Sequence, residues 1–337
     1  MDAQLSLDEA RDLVAGVLQA NRTSPENARS VARALVAAEA DGLKGHGLSR
    51  LPSYAAQAKS RKVDGFAVPE ARHAHPAVLA VDAARGFAYP ALDLAMMRLP
   101  EIARSQGVAV APIRRSHHCG AAGLHVERLA EQGLAALLFA NTPQAIAPWG
   151  GRRGLFGTNP IAFAAPVEGR PPVVIDLSLS KVARGNILAA KQKGAPIPEG
   201  WALDAEGRHT TDPDAALQGT MVPMGDAKGT ALALMVEILA AGLTGASFAY
   251  EASSFFDAEG PAPETGQLIL ALAPEALGGP AIARHLLRMV EAIEAEPGAR
   301  LPGARRLKAR AEAAARGVAV PESLLRMAEA ARGAPAA

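Results

Sequence analysis

The stretch that decides the fold class is residues 107–141, GVAVAPIRRSHHCGAAGLHVERLAEQGLAALLFAN. It begins with an apolar run of strand character, GVAVAPI, and it ends with another, LAALLFAN. Between the two runs, residues 123–131 have helical character and follow the glycine-containing loop SHHCGAAG. A strand, a helix and a second strand in this order predict an α/β sheet with helices packed against it.

The same pattern continues on both sides of this stretch. Upstream lies the apolar run VLAVDA and a helical segment at residues 92–105, and downstream lie PIAFAAP, PVVIDLS and QLILALAP. A short turn at Glu168 and Gly169 separates PIAFAAP from PVVIDLS, which predicts a hairpin. Because the earlier runs are joined by helices and the later ones by a short turn, we expect a mixed sheet.

Both ends of the chain are predicted to be helical. Ser6 and Glu9 form a capping box, Ser24 and Pro25 begin a second helix that Gly42 ends, and a third short helix covers residues 52–59. Further helices are expected at residues 282–296, 304–317 and 322–332. The sequence thus predicts a helical unit, residues 1–75 plus 280–337, around an α/β unit, residues 76–279.

Composition excludes several classes of protein. Lys+Arg (35) and Asp+Glu (34) nearly cancel, and only 4% of residues are aromatic, so neither nucleic acid nor a membrane surface is an expected partner. The longest apolar run, TALALMVEILAAGLTG, is too short to span a bilayer and predicts a buried helix. The single cysteine, Cys119, and an acidic start without a signal-peptide pattern predict a cytoplasmic protein.

The usual nucleotide-binding motifs are missing. There is no G-x-G-x-x-G after a strand and no G-x-x-x-x-G-K-[ST], so a Rossmann or P-loop site is not expected. Three glycine-rich stretches remain, at residues 116–123, 147–160 and 222–231. The first and third precede helices, a setting in which backbone amides can hold a phosphate. Each stretch alone could be an ordinary turn or helix cap, but together they favour a dinucleotide site.

The loop DGLKGHGLSR, residues 41–50, carries the candidate chemistry. His46 stands between two glycines, and Arg50 follows four residues later. An arginine that holds a carboxylate beside a histidine that delivers a proton is what reduction of a 2-oxo or 2-imino acid requires. The alternative is a histidine packed in a loop and an arginine paired with a surface acid. No metal site is expected, because the consecutive His117, His118 and Cys119 cannot all face one ion.

An ordered set of motifs along nearly the whole chain resembles the malate/L-lactate dehydrogenase family, a non-Rossmann NAD(P)-dependent family. The set comprises GHG-x-x-R, HH-x-G-AAG, APWGG, GTNP, IPEGWALD, TTDP, EILAAGLTG and LPGARR. Residues 234–251 and 265–274 look most like the branch of Δ1-piperideine-2-carboxylate and Δ1-pyrroline-2-carboxylate reductases. The resemblance implies a cytoplasmic homodimer with a mixed-sheet NAD(P)-binding domain.

The implied activity is reduction of a cyclic 2-imino acid with NADPH, NADH being possible, by hydride transfer to the C=N carbon. The alternative within the family is an NAD(P)-dependent dehydrogenase of an open-chain 2-hydroxy acid such as malate, lactate or ureidoglycolate. A cofactor-binding protein that has lost its chemistry is a third possibility.

The resemblance also implies site residues. His46 would donate the proton, Arg50 would bind the carboxylate, and Thr158 would contact the substrate. The implied cofactor residues are His118, Cys119, Gly120, Ala121, Ala122, Asp176, Leu177, Ser178, Arg184, Gly185, Lys228, Gly229, Ala304, Arg305, Arg306 and Lys308.

Two positions depart from the family pattern. Gly45 stands where a serine is usual, and Asn186 stands where the imine-reducing branch has a relay aspartate. Asn186 can orient His46 but cannot stabilise its cation, which predicts a lower His46 pKa and a weaker proton donor. A cyclic imine can arrive already protonated and needs less help than a ketone, which favours the imine substrate.

Overall fold

The computed structural model describes residues 2–332 and confirms the mixed α/β fold. The first residue and the last five residues of the predicted helical unit lie outside the described residues. The helices are α1 (Leu7–Ala20), α2 (Pro25–Ala40), α3 (Leu51–Ser60), α4 (Ala88–Gln106), α5 (Ala122–Ala130), α6 (Arg184–Gln192), α7 (Pro213–Gln218), α8 (Ala227–Glu237), α9 (Pro274–Gly278), α10 (Ile282–Ala295), α11 (Ala304–Arg316) and α12 (Glu322–Arg332). The strands are β1 (Ala3–Leu5), β2 (Glu70–His75), β3 (Val78–Asp82), β4 (Val108–Ser116), β5 (Ala135–Ala140), β6 (Ile161–Val167), β7 (Arg170–Leu177), β8 (Ala202–Leu203), β9 (His209–Thr210), β10 (Thr220–Met221), β11 (Thr265–Leu272) and β12 (Val318–Val320).

The central sheet has seven strands in the order β2-β3-β4-β11-β5-β6-β7. Strands β3 and β4 are parallel and are joined through α4, whereas the other neighbouring pairs are antiparallel. The predicted hairpin is present, because β6 and β7 pair across the turn at Glu168 and Gly169. Helices α4 and α5 pack against the sheet, and Leu99, Ile113 and Leu129 are fully buried between these layers.

The helical ends form a layer beside the sheet. The capping box is observed, since Ser6 Oγ accepts from Glu9 N at 3.2 Å and the Glu9 carboxylate accepts from Ser6 N at 2.8 Å. The sequence left open whether the two ends of the chain pack together. They do, because β1 pairs with β12 and α1 packs against α12. One hydrophobic core therefore includes side chains from α1, α2, α4, the sheet and α12.

Three features differ from the sequence analysis. The polar segment Glu70–His75, placed in the helical unit, is the edge strand of the central sheet, where most of its side chains remain in solvent. Strands β8, β9 and β10 form a second small sheet, whose two-residue strands are too short to be recognised by pattern.

The third difference concerns the apolar run at residues 230–245. It was expected to be a buried helix, but Leu234, Ile238 and Leu243 expose 46%, 48% and 66% of their surface. The run forms the last part of α8 and a π turn at Ile238–Gly242, with one buried and one exposed side. Within residues 2–332, no helix combines the length and apolar character needed to cross a membrane.

Candidate active site

The loop after α2 positions His46 and Arg50. It forms two short 3-10 turns, Lys44–His46 and Leu48–Arg50, and Arg50 Nε donates to the carbonyl of Gly45 at 2.7 Å. The two glycines beside His46 have different roles. A side chain at Gly47 would collide with Glu39 of α2, whereas the space beside Gly45 is open. Gly47 therefore lets the loop pack on α2, and only Gly45 leaves room for a ligand.

The imidazoles of His46 and His118 are brought together although they lie on different elements. Their rings stack with centroids 5.3 Å apart, His118 coming from the loop between β4 and α5. His118 Nδ1 lies 2.6 Å from the hydroxyl of Tyr54, which lies 3.2 Å from the hydroxyl of Tyr89. His118 is thus held by a buried hydrogen-bond chain and supports the ring of His46.

His117 faces a different group of side chains. Its Nε2 lies 2.7 Å from Gln57 Oε1, and Gln57 Nε2 donates to the carbonyl of Phe255 at 2.8 Å. The Phe255 ring packs against both His117 and His118, with centroid distances of 5.1 and 5.2 Å. Of the two adjacent histidines, His118 is therefore the one that contacts His46.

Burial keeps the histidines of this cluster neutral. It lowers the pKa of His46 to about 4 and that of His117 to about 3, and it lowers the pKa of His118 well below its ordinary value. The positive charge of Arg50 lowers the pKa of all three further. At neutral pH, His46 is therefore uncharged, and its cationic form is disfavoured.

The lowering of the His46 pKa comes from burial and from the charge of Arg50, with no contribution from Asn186. Asn186 lies exposed in the first turn of α6, and within residues 2–332 it makes no hydrogen bond to His46. His46 Nδ1 is buried without a hydrogen-bond partner. The orienting contact expected from Asn186 is therefore absent from the described part of the chain, and the stacked His118 ring supports His46 instead.

Arg50 is an available cation beside these neutral rings. Its guanidinium lies over the ring of Phe256, with Cζ 4.6 Å from the centroid. In the part of the chain that the structure describes, no carboxylate forms an ion pair with Arg50. An unpaired guanidinium next to a neutral base is suited to hold the carboxylate of an organic acid.

The loop before α5 offers backbone amides to a cofactor. The N-cap residue Ala121 forms no side-chain cap, so its side chain does not occupy the first amides of α5, a type of group that can bind a phosphate. Gly123 N donates to Asp176 Oδ2 at 2.7 Å, which places the end of β7 against this helix start. Burial raises the pKa of Asp176. The structure thus brings the predicted residues of the α5 loop and of β7 together.

Backbone hydrogen bonds join Thr158, the segment that follows β7 and the segment that precedes α8. Leu179 N donates to the Thr158 carbonyl at 2.8 Å, and Met224 N donates to the Leu179 carbonyl at 2.8 Å. Ser178 precedes this segment, and its hydroxyl lies 3.0 Å from that of Ser180. Lys228 is exposed in the first turn of α8, and the adjacent Gly229 packs so closely on Met224 that no side chain would fit. Leu177 ends β7 beside them.

The predicted cofactor residues on α6 and α11 differ in how exposed they are. Arg184 and Gly185 begin α6, and Arg184 is partly buried while Gly185 is exposed. On α11, the side chains of Arg305 and Lys308 are exposed, as is Ala304.

Arg306 on α11 is occupied by other charges. It donates to the Glu127 carboxylate at 2.6 and 2.8 Å and to Asp41 at 3.0 Å, and Arg310 contacts the same two carboxylates. The phosphate contact predicted for Arg306 would compete with these bonds.

Sequence reasoning missed Tyr54, Gln57 and Glu237. The carboxylate of Glu237 is buried and accepts from Asn141 Nδ2 at 3.0 Å, Asn159 Nδ2 at 2.7 Å and Ala249 N at 2.7 Å. It thereby fixes the residue next to Thr158. The available signal was the position of Glu237 within an otherwise apolar run, because a buried carboxylate is stable only when other groups donate hydrogen bonds to it. For Tyr54 and Gln57 the sequence offered no signal.

Among residues 2–332, no group of three His, Cys, Asp or Glu side chains is arranged to hold a metal ion. His46, His118 and Arg50 lie together near the start of α5. The model of the malate/L-lactate dehydrogenase family matches residues 5–327, and the chain belongs to this family of NAD(P)-dependent oxidoreductases.

Individual relatives differ in their substrates. The chain is 53% identical to a (2R)-3-sulfolactate dehydrogenase (NADP(+)) from Chromohalobacter salexigens, over 93% of each chain. It is 41% identical to a Δ1-pyrroline-2-carboxylate/Δ1-piperideine-2-carboxylate reductase from Pseudomonas putida, over 90% of this chain and 89% of that one. The solved Δ1-piperideine-2-carboxylate reductase from Pseudomonas syringae pv. tomato has a TM-score of 0.90 at 39% identity and covers 98% of this chain and 99% of its own. The expected likeness to the imine reductases is confirmed, and the sulfolactate dehydrogenase is more similar than they are.

Proposed function

We propose that this protein is an NADP-dependent dehydrogenase of an open-chain 2-hydroxy acid, with 3-sulfolactate as the first substrate to test. The observation that carries this proposal is the uncharged imidazole of His46, which has a lone pair that can accept a proton and lies on the same loop as the unpaired guanidinium of Arg50. Oxidation of an alcohol requires a base for the hydroxyl proton. The similarity to a sulfolactate dehydrogenase supports the same choice over the imine.

In the proposed reaction, Arg50 binds the substrate carboxylate and fixes the hydroxyl-bearing carbon near His46. A ring nitrogen of His46 accepts the hydroxyl proton while the C–H hydrogen leaves as hydride, so that the C–O bond becomes C=O. NADP accepts this hydride when it is bound. His118, held by Tyr54, supports the His46 ring, and the apolar ring of Phe255 excludes water from the histidines. In the reverse direction, the same nitrogen returns the proton.

The cofactor proposed is NADP(H) in preference to NAD(H). The similar sulfolactate dehydrogenase carries NADP(+) in its name. In this chain, the exposed cations Lys228, Arg305 and Lys308 stand in the first turns of two helices, where phosphates are favoured. The amides of the α5 loop would hold a further part of the dinucleotide.

A reductase of a cyclic 2-imino acid is the second candidate. Pyrroline- and piperideine-carboxylate reductases are about two-fifths identical over most of this chain, and the solved piperideine-carboxylate reductase shares its fold closely. A cyclic imine that arrives protonated would need no proton from His46, so the low His46 pKa does not oppose this reaction.

We also propose a homodimer in the cytoplasm. The support for a dimer is the exposed apolar side of α8 and the turn that follows it, where Leu232, Met235 and Ile238 are exposed by 37%, 39% and 48%. Such a stripe is typical of a surface that another chain covers. The buried, unpaired thiol of Cys119 suits a reducing compartment.

The deciding experiment measures absorbance of the nicotinamide with matched substrates. NADP+ reduction is followed with 3-sulfolactate, malate and lactate, and NADPH oxidation with piperideine- and pyrroline-2-carboxylate. Higher kcat/KM on a hydroxy acid supports the proposal, and higher kcat/KM on an imine replaces it with the second candidate. Binding of NADPH without turnover on any of these substrates contradicts both.

A further inference from the structure

Next to the loop that carries Thr158, the structure contains a cavity that the mechanism above does not use. Its volume is about 470 Å³, and three arginines line it: Arg152 and Arg153 from the loop between β5 and β6, and Arg184 from the start of α6. Gly219 and Thr220 close one side, and Tyr250 lies at another. No carboxylate lines the cavity.

The positive charge in this cavity is not compensated by the protein. Arg184 is partly buried, and among residues 2–332 its guanidinium donates only to the Leu217 carbonyl, at 3.3 Å. Burial lowers the pKa of Arg184, with no opposing contribution from an acid. Within the described residues 2–332, Arg152 and Arg153 form no ion pair either. Arg152 and Arg153 are exposed and hydrated, so the cost of burying an unpaired charge falls on Arg184.

The acids near the cavity are already engaged. Asp204 and Glu206 flank the lining residue Ala205, and both contact Arg208, at 3.0 and 3.4 Å. Asp214 on α7 pairs with Lys191 of α6 at 2.5 Å. These carboxylates therefore do not neutralise the three arginines.

The cavity also holds an unused hydrogen-bond donor. Within residues 2–332, the buried hydroxyl of Thr220, a residue of the cavity lining, has no hydrogen-bond partner. A buried hydroxyl normally has a partner. Guanidinium and hydroxyl groups are donors suited to a tetrahedral oxyanion, which offers acceptors in several directions.

We propose that this cavity binds a sulfonate or phosphate group. Two ligands of the proposed reaction could supply it: the second anionic group of a substrate such as 3-sulfolactate, or a phosphate of NADP. The anion site itself does not depend on the proposed function, whereas the substrate source rests on it.

The first test uses inorganic sulfate and the apo protein. Sodium sulfate should raise the Tm of the wild type beyond sodium chloride of equal ionic strength, because a ligand of the native state stabilises it. The double variant Arg152→Gln/Arg153→Gln should show a clearly smaller rise, and what remains is the general stabilisation by sulfate excluded from the protein surface. The matched control, Arg72→Gln/Arg98→Gln, removes two exposed arginines outside the cavity lining and should keep the full rise. A rise that is absent in the wild type, or unchanged in the cavity variant, overturns the proposal.

The second test identifies the source of the group. If the substrate supplies it, the double variant loses about tenfold or more in kcat/KM for 3-sulfolactate. Its kcat/KM for lactate, which has no second anion, and its affinity for NADPH remain unchanged. If the cofactor supplies it, affinity for NADPH falls by a similar factor, and all substrates are affected equally. Because the sulfate measurement needs no turnover, a failure of the proposed function and a failure of the anion site give different results.

Discussion

The rings of His46 and His118 stack with their centroids 5.3 Å apart and their planes inclined by 25°. The two residues come from separate loops, one after α2 and the other after β4. Within the described residues, His46 has no hydrogen-bond partner at Nδ1, whereas His118 is fixed at Nδ1 by Tyr54. The orientation of the His46 ring therefore depends on packing against a neighbour that is itself hydrogen-bonded.

Substitution of His46 tests its role as the base. His46→Ala should lower kcat/KM for hydroxy-acid oxidation by about 10²- to 10⁴-fold, the usual contribution of a general base. Affinity for NADPH, measured by its fluorescence, should not change. In the wild type, kcat/KM should stay constant from pH 8 down to the region of pH 5, because the pKa of His46 is about 4. The exposed His73→Ala variant is the control. Full activity in His46→Ala would move the base to another group, His118 being the nearest.

Tyr54 is expected to act as a positioning residue. Tyr54→Phe removes the hydroxyl that lies 2.6 Å from His118 Nδ1, which should lower kcat by about tenfold with little change in KM, as expected for one lost hydrogen bond in an ordered site. Tyr89→Phe removes only the outer hydroxyl of the chain, 3.2 Å from Tyr54, and should have a smaller effect. The acid limb of the pH–rate profile should shift in Tyr54→Phe alone. Equal effects of both variants, with an unchanged profile, would indicate a purely structural role.

Local sequence signals predicted much of the fold. The Ser6 and Glu9 pair marked the start of α1, and the turn at Glu168 and Gly169 marked the β6–β7 hairpin. Each signal consists of residues that are close together in the sequence, so it can be recognised without knowledge of the tertiary structure. The place of β11 in the sheet could not be recognised this way, because it pairs with β4 and β5, which lie far earlier in the chain.

The candidate site was predicted in its parts but not in its contacts. His46 and Arg50 share one loop, so their spacing was informative, whereas the stack with His118 depends on how two distant loops meet. The sequence did not identify Tyr54 as a site residue, because a tyrosine on the apolar side of a helix usually packs in the hydrophobic core. The basic motif around Arg306 did not reveal Asp41 and Glu127, the acids that face Arg306 in the fold.

The charge cluster of α11 offers a stability test. Arg306→Gln would leave the buried carboxylates of Asp41 and Glu127 short of donors, so we expect a loss of about 3 kcal/mol in the free energy of unfolding. Urea denaturation measures this loss. Arg29→Gln, which breaks an exposed pair with Glu26, should change the free energy of unfolding by about 0.5 kcal/mol or less.

The double variant Arg306→Gln/Glu127→Gln should recover part of the loss, because it removes one of the unpaired charges. If Arg306→Gln instead weakens NADPH binding and leaves the free energy of unfolding unchanged, the cofactor role implied by the family resemblance is the correct one.

The buried histidines predict loss of stability in mild acid. The pKa values of His46 and His125 are lowered to about 4 and that of His117 to about 3, all from 6.5, so the unfolded chain binds more protons below pH 6.5. Their contribution to stability is complete above pH 6.5 and is lost as the pH falls from 6.5 towards 4. The Tm should therefore fall over this range. His117→Gln should make the fall less steep, and His73→Gln, at an exposed position, should not. A Tm that stays constant from pH 7 to pH 4.5 would contradict this prediction.

The exposed apolar side of α8 predicts where two copies of the chain meet. Leu232, Met235 and Ile238 recur every three residues and leave a continuous stripe in the isolated chain. A charge placed in this stripe should oppose dimer formation, because it would be buried without a partner. In sedimentation velocity at micromolar concentration, the wild type should be a dimer and Leu232→Lys/Ile238→Lys a monomer. Met97→Lys, at an equally apolar but separate exposed position, should remain a dimer. A monomeric wild type would contradict the homodimer itself, whereas a dimeric double variant would place the interface on another surface.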